Sequence, residues 1–367
     1  MRAAGKDIVG LGAGEPDFDT PDHIKAAAVK AIDNGFTKYT AVDGIPSLKK
    51  AIINKFKNDN GLDYQPKQIL VSCGGKQSSY NLLQALINPG DEVIIPAPFW
   101  VSYPDMTLLA DGVPVIIETT QAQRFKISPE QLRAAITDKT RLMFINSPSN
   151  PSGIAYTLAE LKALGEVLKE FPNIIIATDD MYEHILWEQG SFVNILNACP
   201  ELYDRTMVLN GVSKAYSMTG WRIGYAAGPA DLIEAMTTIQ SQSTSNPTSI
   251  SQVAAEAALT GDQSFINTMC VEFKKRHDYV VAEFNKIDGI DCVGTDGTFY
   301  VFPNVEKLIA RLDNINNDLE FSEYLIEKAG VALVPGSAFG TPGHIRISIA
   351  TSMANLQKAF EKINNAI

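Results

Sequence analysis

The chain has 367 residues, of which 45% are hydrophobic and 20% charged, and its formal net charge at pH 7 is -11. That length and composition suit a sizeable folded core and about two domains. They exclude an extended nucleic-acid surface, which needs a basic patch to meet phosphates, and no uninterrupted apolar run has the length of a membrane span.

The opening Met1-Arg2-Ala3-Ala4-Gly5-Lys6-Asp7 has no apolar stretch of the signal-peptide kind. Residues 12–21 are rich in turn formers and are expected to cross between domains. Short β-branched runs then follow at 69–72, 92–95, 113–117, 142–146, 174–178, 207–210 and 223–227. Many are continuously apolar, as in strands covered on both faces. Between them lie helix starts. Ser128-Pro129-Glu130 offers an N-cap, a proline at the first helical position and an acidic first turn, and Thr157-Leu158-Ala159-Glu160 is a capping box. This alternation predicts an α/β fold with a largely parallel central sheet flanked by helices.

After a long helix over 263–284, the pattern changes to a strand at 299–302, a helix over 321–329 and strands at 331–334 and 345–349. These elements predict a smaller α+β domain. The expected division is a large domain over 22–287 and a small one made of 1–21 plus 288–367. The four cysteines, Cys73, Cys199, Cys270 and Cys292, have no pair spacing, and no His-Glu-x-x-His occurs. Neither a disulfide framework nor a metal site is expected, and a reducing cytoplasm is the expected compartment.

Four polar residues fall just past the ends of predicted strands: Asn150 after 142–146, Asp179 after 174–178, and Ser213 and Lys214 after 207–210. Alone, each is an ordinary turn or surface residue. Open α/β sheets, however, bind ligands beyond the carboxyl ends of their strands, so parallel strands would bring an amide, a carboxylate and an amine together. A lysine attacks a carbonyl only as the free base, which requires burial or cationic neighbours. The segment 210–225 around Lys214 carries little other charge than Arg222.

The run Ser213-Lys-Ala-Tyr-Ser-Met-Thr-Gly-Trp-Arg-Ile-Gly-Tyr225 resembles the lysine signature of class I (fold type I) pyridoxal-phosphate-dependent aminotransferases. Further motifs match in order: Gly12-Ala-Gly-Glu-Pro-Asp-Phe-Asp-Thr-Pro21, Lys38-Tyr-Thr near Gly44-Ile-Pro46, Gly74-Gly-Lys-Gln77, Pro98-Phe-Trp-Val-Ser-Tyr103, Asn150-Pro-Ser-Gly153, Asp179-Asp-Met-Tyr-Glu-His184 and Gly343-His-Ile-Arg-Ile-Ser348. The match spans essentially the whole chain and is similar to the bacterial subgroup of the aspartate aminotransferase family.

The resemblance implies the fold of the pyridoxal-phosphate-dependent transferases, with pyridoxal 5'-phosphate as cofactor. It implies that Lys214 holds the cofactor as a Schiff base and shuttles a proton, and that Asp179 pairs with the pyridine nitrogen. Asn150 and Tyr182 would bond the ring's phenolic oxygen, and Trp100 would stack on the ring. Gly74, Gly75, Lys76, Ser213 and Arg222 would hold the phosphate, joined by Tyr39 from a neighbouring subunit. Arg346 would grip the substrate α-carboxylate, with Gly14, Trp100 and Asn150 beside the substrate.

The implied reaction is a ping-pong transfer of the amino group of an L-amino acid, aspartate first, to a 2-oxo acid such as 2-oxoglutarate, in a homodimer with shared sites. An aromatic, alanine or broad-specificity aminotransferase, a C–S lyase on the same fold and an inactive truncated paralogue are the other readings. Trp100, Tyr182 and Arg346 favour transamination. Three departures from the family pattern stand out. Gly211 replaces a frequent Ser, residues 241–249 contain no Arg for a distal carboxylate, and residues 1–7 resemble the end of the arm and helix that open other members.

Overall fold

The seven apolar runs in the middle of the chain form one sheet in a computed structural model that describes residues 5–367. Residues 1–4, the first part of the expected small domain and of the expected opening segment, lie outside the described residues. In chain order the strands are β1 (Val9–Gly10), β2 (Ile69–Ser72), β3 (Glu92–Pro96), β4 (Val113–Ile117), β5 (Thr140–Asn146), β6 (Ile175–Asp179), β7 (Thr206–Gly211), β8 (Gly224–Ala227), β9 (Tyr300–Val301), β10 (Val331–Ala332), β11 (Val334–Pro335) and β12 (Ile345–Ser348).

The large sheet runs β2-β8-β7-β6-β5-β3-β4. Strands β7, β6, β5, β3 and β4 are mutually parallel, while β8 is antiparallel to both β2 and β7. The sheet is therefore mostly parallel, as expected. Alternate residues of one strand enter different cores. Val93, Ile95, Leu142 and Phe144 pack with Leu82, Leu83 and Met106 of the helices Gly75–Leu86 and Ser102–Leu109. Ile94, Met143 and Ile145 pack on the other face with Leu161, Leu164 and Leu168 of the helix Leu158–Lys169. Each such side chain contributes about 1.5–3 kcal/mol on burial. At the open edge of this sheet Val113 and Ile116 of β4 are exposed.

Both foreseen helix starts form. Thr157 Oγ1 accepts from Glu160 N at 3.3 Å while Glu160 Oε2 accepts from Thr157 N at 2.7 Å. Ser128 caps its helix in the same reciprocal way with Gln131. The run 331–334 does not form a single strand. It splits at Leu333, and β10 joins β1 in parallel while β11 pairs antiparallel with β12. The helix expected over 321–329 begins earlier, at Asp318, because Asn317 Oδ1 caps Glu320 N at 2.9 Å. Asp179 is the last residue of β6, not the first beyond it. Among the described residues no helix is long and apolar enough to cross a membrane.

The chain turns round at β3. Its next strand, β4, lies on one side of β3, whereas β5, β6 and β7 are added on the other. Ligand crevices form at such a reversal, beyond the carboxyl ends of the diverging strands.

Candidate active site

The loops that follow β3, β5, β6 and β7 meet around a cavity of about 400 Å³. It takes Trp100 from the first, Asn150 from the second, Tyr182 from the third, and Ser213 and Lys214 from the fourth, with Asp179 from the end of β6 itself. Gly75 and Lys76 enter from the start of the helix Gly75–Leu86, Arg222 from the turn before β8, and Arg346 from β12. Gly14 closes the wall. Two expected residues stand apart. Gly74 lies just behind the wall, packed on Arg222, and Tyr39 lies away from the cavity with 91% of its surface exposed.

Lys214 is partly exposed onto this cavity and otherwise enclosed, and its Nζ donates to Gly14 O at 2.5 Å. Burial, aided by the nearby Arg222 and Arg346 charges, lowers its pKa to about 8, against the opposing pull of Glu15 and Asp179. About a tenth of the amine is thus the free base at pH 7, several hundredfold more than for an ordinary lysine, and this is the form a nucleophile or general base requires.

Asp179 is buried at the end of β6, and burial pushes its carboxyl above the usual range. Tyr103 OH opposes that by donating to Oδ2 at 2.5 Å, and Met181 N–H adds a 3.3 Å bond to Oδ1. Tyr103 is itself fixed by stacking on Phe144, with centroids 4.3 Å apart. Asn146, the last residue of β5, donates its amide to Asp179 O at 2.9 Å and accepts from Asn150 N at 2.8 Å. One side chain therefore sets the loop that carries Asn150 against the strand that carries Asp179.

Arg346 donates Nη1 to Asn150 Oδ1 at 2.9 Å and Nη2 to Gly12 O at 2.8 Å, leaving Nε buried without a partner. Its guanidinium lies 4.4 Å from the Tyr300 ring centre and 4.8 Å from that of Phe339. Tyr300 OH in turn lies 3.1 Å from Tyr182 OH. A planar fork held between two aromatic rings, with one donor unused, suits a planar anion such as a carboxylate.

The opposite end of the cavity suits a second anion. Arg222 faces the start of the helix Gly75–Leu86, where free backbone N–H groups gather. Gly74 has φ +90°, and an added Cβ there would lie 2.2 Å from Arg222 Nη2. Gly211 closes β7 against β8 so tightly that a Cβ would lie 3.0 Å from Gly224 Cα. The Gly211 departure thus coincides with a backbone contact that leaves little room for a side chain.

Beneath the site lies a second buried network. Glu183 forms an ion pair with Lys55 and accepts from Asn210 at 2.7 Å and Asn60 at 2.8 Å. Burial raises its pKa, but Lys55 and the other donors prevail and hold it at about 2. Its neighbour Asp180 is bonded by Thr178 and Asn194, and burial, helped by the Glu183 charge, pushes it up to about 8.

Sequence reasoning passed over Tyr103, Asn146 and Tyr300. Tyr103 ends the quoted motif one helical turn after Trp100, and Asn146 ends a predicted strand, so both positions carried a signal.

With this geometry in view, comparison with known proteins places the chain. The family described as aminotransferase class I and II matches residues 6–363. The chain belongs to that family. It is 61% identical over 368 residues to an aspartate/prephenate aminotransferase of Nitrosomonas europaea, covering 99% of this chain and 93% of that one. Its fold superposes on the aspartate aminotransferase of Rhizobium meliloti with a TM-score of 0.97 at 49% identity, covering 100% of this chain and 92% of that one. Against the Thermus thermophilus aspartate aminotransferase with maleate the TM-score is 0.94 at 41% identity, covering 100% and 93%. The chain is accordingly an aminotransferase with the α/β fold of that family.

Proposed function

We propose that the chain transfers the amino group of L-aspartate to 2-oxoglutarate with pyridoxal 5'-phosphate held at Lys214. The observation that carries this reading is the convergence of Lys214, Asp179 and Arg346 on one cavity of about 400 Å³, a size that suits a small cofactor with its substrate.

The donor set fits the cofactor. Lys214 Nζ is the amine for its aldehyde, Asp179 the carboxylate for its ring nitrogen, and Arg222, Ser213 and the N–H groups at Gly75 and Lys76 the donors for its phosphate. Asn150 and Tyr182 serve the phenolic oxygen and Trp100 the ring face. Bound there, pyridoxal 5'-phosphate supplies an aldehyde for amine exchange and a ring that accepts electron density from the substrate Cα. Arg346 fixes the α-carboxylate and so orients the Cα–H bond toward Lys214. Lys214 Nζ, as the free base, takes that proton and later returns it. Asp179 holds a proton at the ring nitrogen, where its negative charge is most useful.

Aspartate is favoured because one cation remains. Arg222 serves a phosphate and Arg346 an α-carboxylate, while Lys76, its Nζ 5.0 Å over the Trp100 ring at the cavity wall, is a further cation for a second carboxylate. The names of the relatives agree with this choice.

The active unit in this proposal is a homodimer with shared sites. Tyr39 is exposed, as are the apolar Val29, Ile32 and Phe36 in the segment before it, and a second copy would cover them while Tyr39 reaches the partner's phosphate. The large domain comprises 22–287 and the small one 1–21 plus 288–367. The cytoplasm is the proposed compartment.

The test is to purify the protein with pyridoxal 5'-phosphate, record the absorption band of the lysine-bound cofactor, and screen amino acids with 2-oxoglutarate. Loss of the band in Lys214→Ala and fastest turnover with aspartate are expected. Product released without any 2-oxo acid would identify a lyase instead. Mixing Tyr39→Phe and Lys214→Ala subunits should restore part of the activity if sites are shared.

A further inference from the structure

Residues 12–20 form a strap that meets the cavity at Gly14 and is bonded at intervals along its length. Gly12 O accepts from Arg346 Nη2 at 2.8 Å, Gly14 O from Lys214 Nζ at 2.5 Å, and Glu15 Oε2 from Thr219 at 2.9 Å. Thr20 donates to Ser217 O at 2.7 Å and accepts from Trp221 Nε1 at 3.0 Å. Two of these partners, Arg346 and Lys214, are the groups that bind and react.

The strap has a charged anchor. Asp17 Oδ1 accepts from Arg276 Nη1 at 2.7 Å. Arg276 lies in the helix Ser264–Phe284, is buried, and stands 5.4 and 5.6 Å from the ring centres of Phe18 and Phe273. The same Nη1 reaches Ile349 O at 3.4 Å. Ile349 directly follows β12, the strand that carries Arg346. Just ahead of the strap, Leu11 O accepts from Ser348 N of β12 at 2.7 Å. Arg276 therefore touches both elements that determine where Arg346 lies: the strap through Asp17, and the strand through Ile349.

We propose that Asp17 and Arg276 are a positioning pair for the carboxylate-binding arginine. The ion pair holds the strap and β12 in the register at which Gly12 O engages one arm of Arg346, and so sets the direction in which its buried, unpartnered Nε points. Neither residue touches substrate. This inference rests on the reading of Arg346 as the carboxylate clamp. It predicts that disturbing the pair weakens carboxylate binding while leaving the chemistry at Lys214 largely intact, because Lys214 follows β7 and Asp179 ends β6 of the large sheet, and neither bonds to Asp17 or Arg276.

The experiment compares the cofactor-loaded parent with Asp17→Asn, Arg276→Lys and the double variant Asp17→Leu/Arg276→Met. Maleate, a non-reacting dicarboxylate, is the probe, titrated by calorimetry, with steady-state kinetics on aspartate alongside. All three variants are expected to bind maleate roughly tenfold more weakly, the scale of one lost charge-assisted hydrogen bond, and to raise KM by a similar factor with kcat within about twofold. The double variant leaves no buried charge unpaired, so it should recover most of the thermal stability lost in Asp17→Asn but not the maleate affinity. Maleate affinity restored together with stability would show a merely structural pair and overturn the proposal. Variants matching the parent's affinity within about twofold would overturn it as well. A parent that binds no maleate would overturn the clamp reading itself, and this proposal with it.

Discussion

Arg346 and Asn150, 196 residues apart in sequence, meet through a 2.9 Å bond from Nη1 to Oδ1. The bond joins strand β12 to the loop after β5, and it leaves the guanidinium oriented before any substrate arrives.

Arg346→Lys keeps the charge but loses the fork. A lysine cannot hold Asn150, Gly12 O and a carboxylate in one plane. KM for the amino acid is expected to rise by about 10²-fold, with a smaller fall in kcat, as read from steady-state kinetics with aspartate. An unchanged KM would mean that the carboxylate binds elsewhere.

The depressed pKa of Lys214, about 8, sets a pH dependence. Below that value the amine is protonated and inert, and above it the free base attacks. Labelling of the cofactor-free protein at Lys214 by a simple aldehyde with borohydride reduction, followed by mass spectrometry, should therefore rise through about pH 8 and level off. Arg222→Gln removes a cation that favours the neutral amine, so the curve should move to higher pH. The same depression costs stability below about pH 8, and the cost is relieved as pH rises toward the ordinary lysine range.

Gly74→Ala tests the phosphate end. Its φ of +90° costs an alanine about 1–2 kcal/mol, and the new methyl would displace Arg222 Nη2. Affinity for pyridoxal 5'-phosphate should drop by roughly tenfold or more, measured by equilibrium titration, whereas affinity for pyridoxal without phosphate should hardly change.

Lys55→Met leaves Glu183 buried without its cation, a loss of about 3–5 kcal/mol in urea unfolding at pH 7. Glu183 is held at about 2, below its ordinary 4.5, so the stability it contributes is fully present above pH 4.5 and is lost as pH falls toward 2. The two proteins should therefore converge in stability over that acid range.

Much of the fold was legible because strands buried on both faces must be continuously apolar, and 69–72 and 113–117 matched their strands at both ends. The run 331–334 was misread for a physical reason. Four apolar residues look like one strand, but which edge each half pairs with depends on Val9 and Arg346, both distant in sequence. Tyr103 was passed over because a tyrosine on an apolar helix face looks like core until the carboxylate it bonds is known. Asn146 has a similar history: its two partners lie in different segments, and only parallel pairing of β5 with β6 brings Asp179 alongside it.

The parallel pairing of Val9 with Val331 bears on how the molecule is made. Synthesis runs from the amino terminus, so β2 through β8 can emerge and assemble the lysine loop while β10 and β12 are still untranslated. The clamp for the carboxylate comes last, since Arg346 must leave the ribosome before Gly12 has anything to bond. The amine is thus made well before the residue that would grip an amino acid and that helps to neutralise it, and β1 waits through more than three hundred residues of translation for its partner strand.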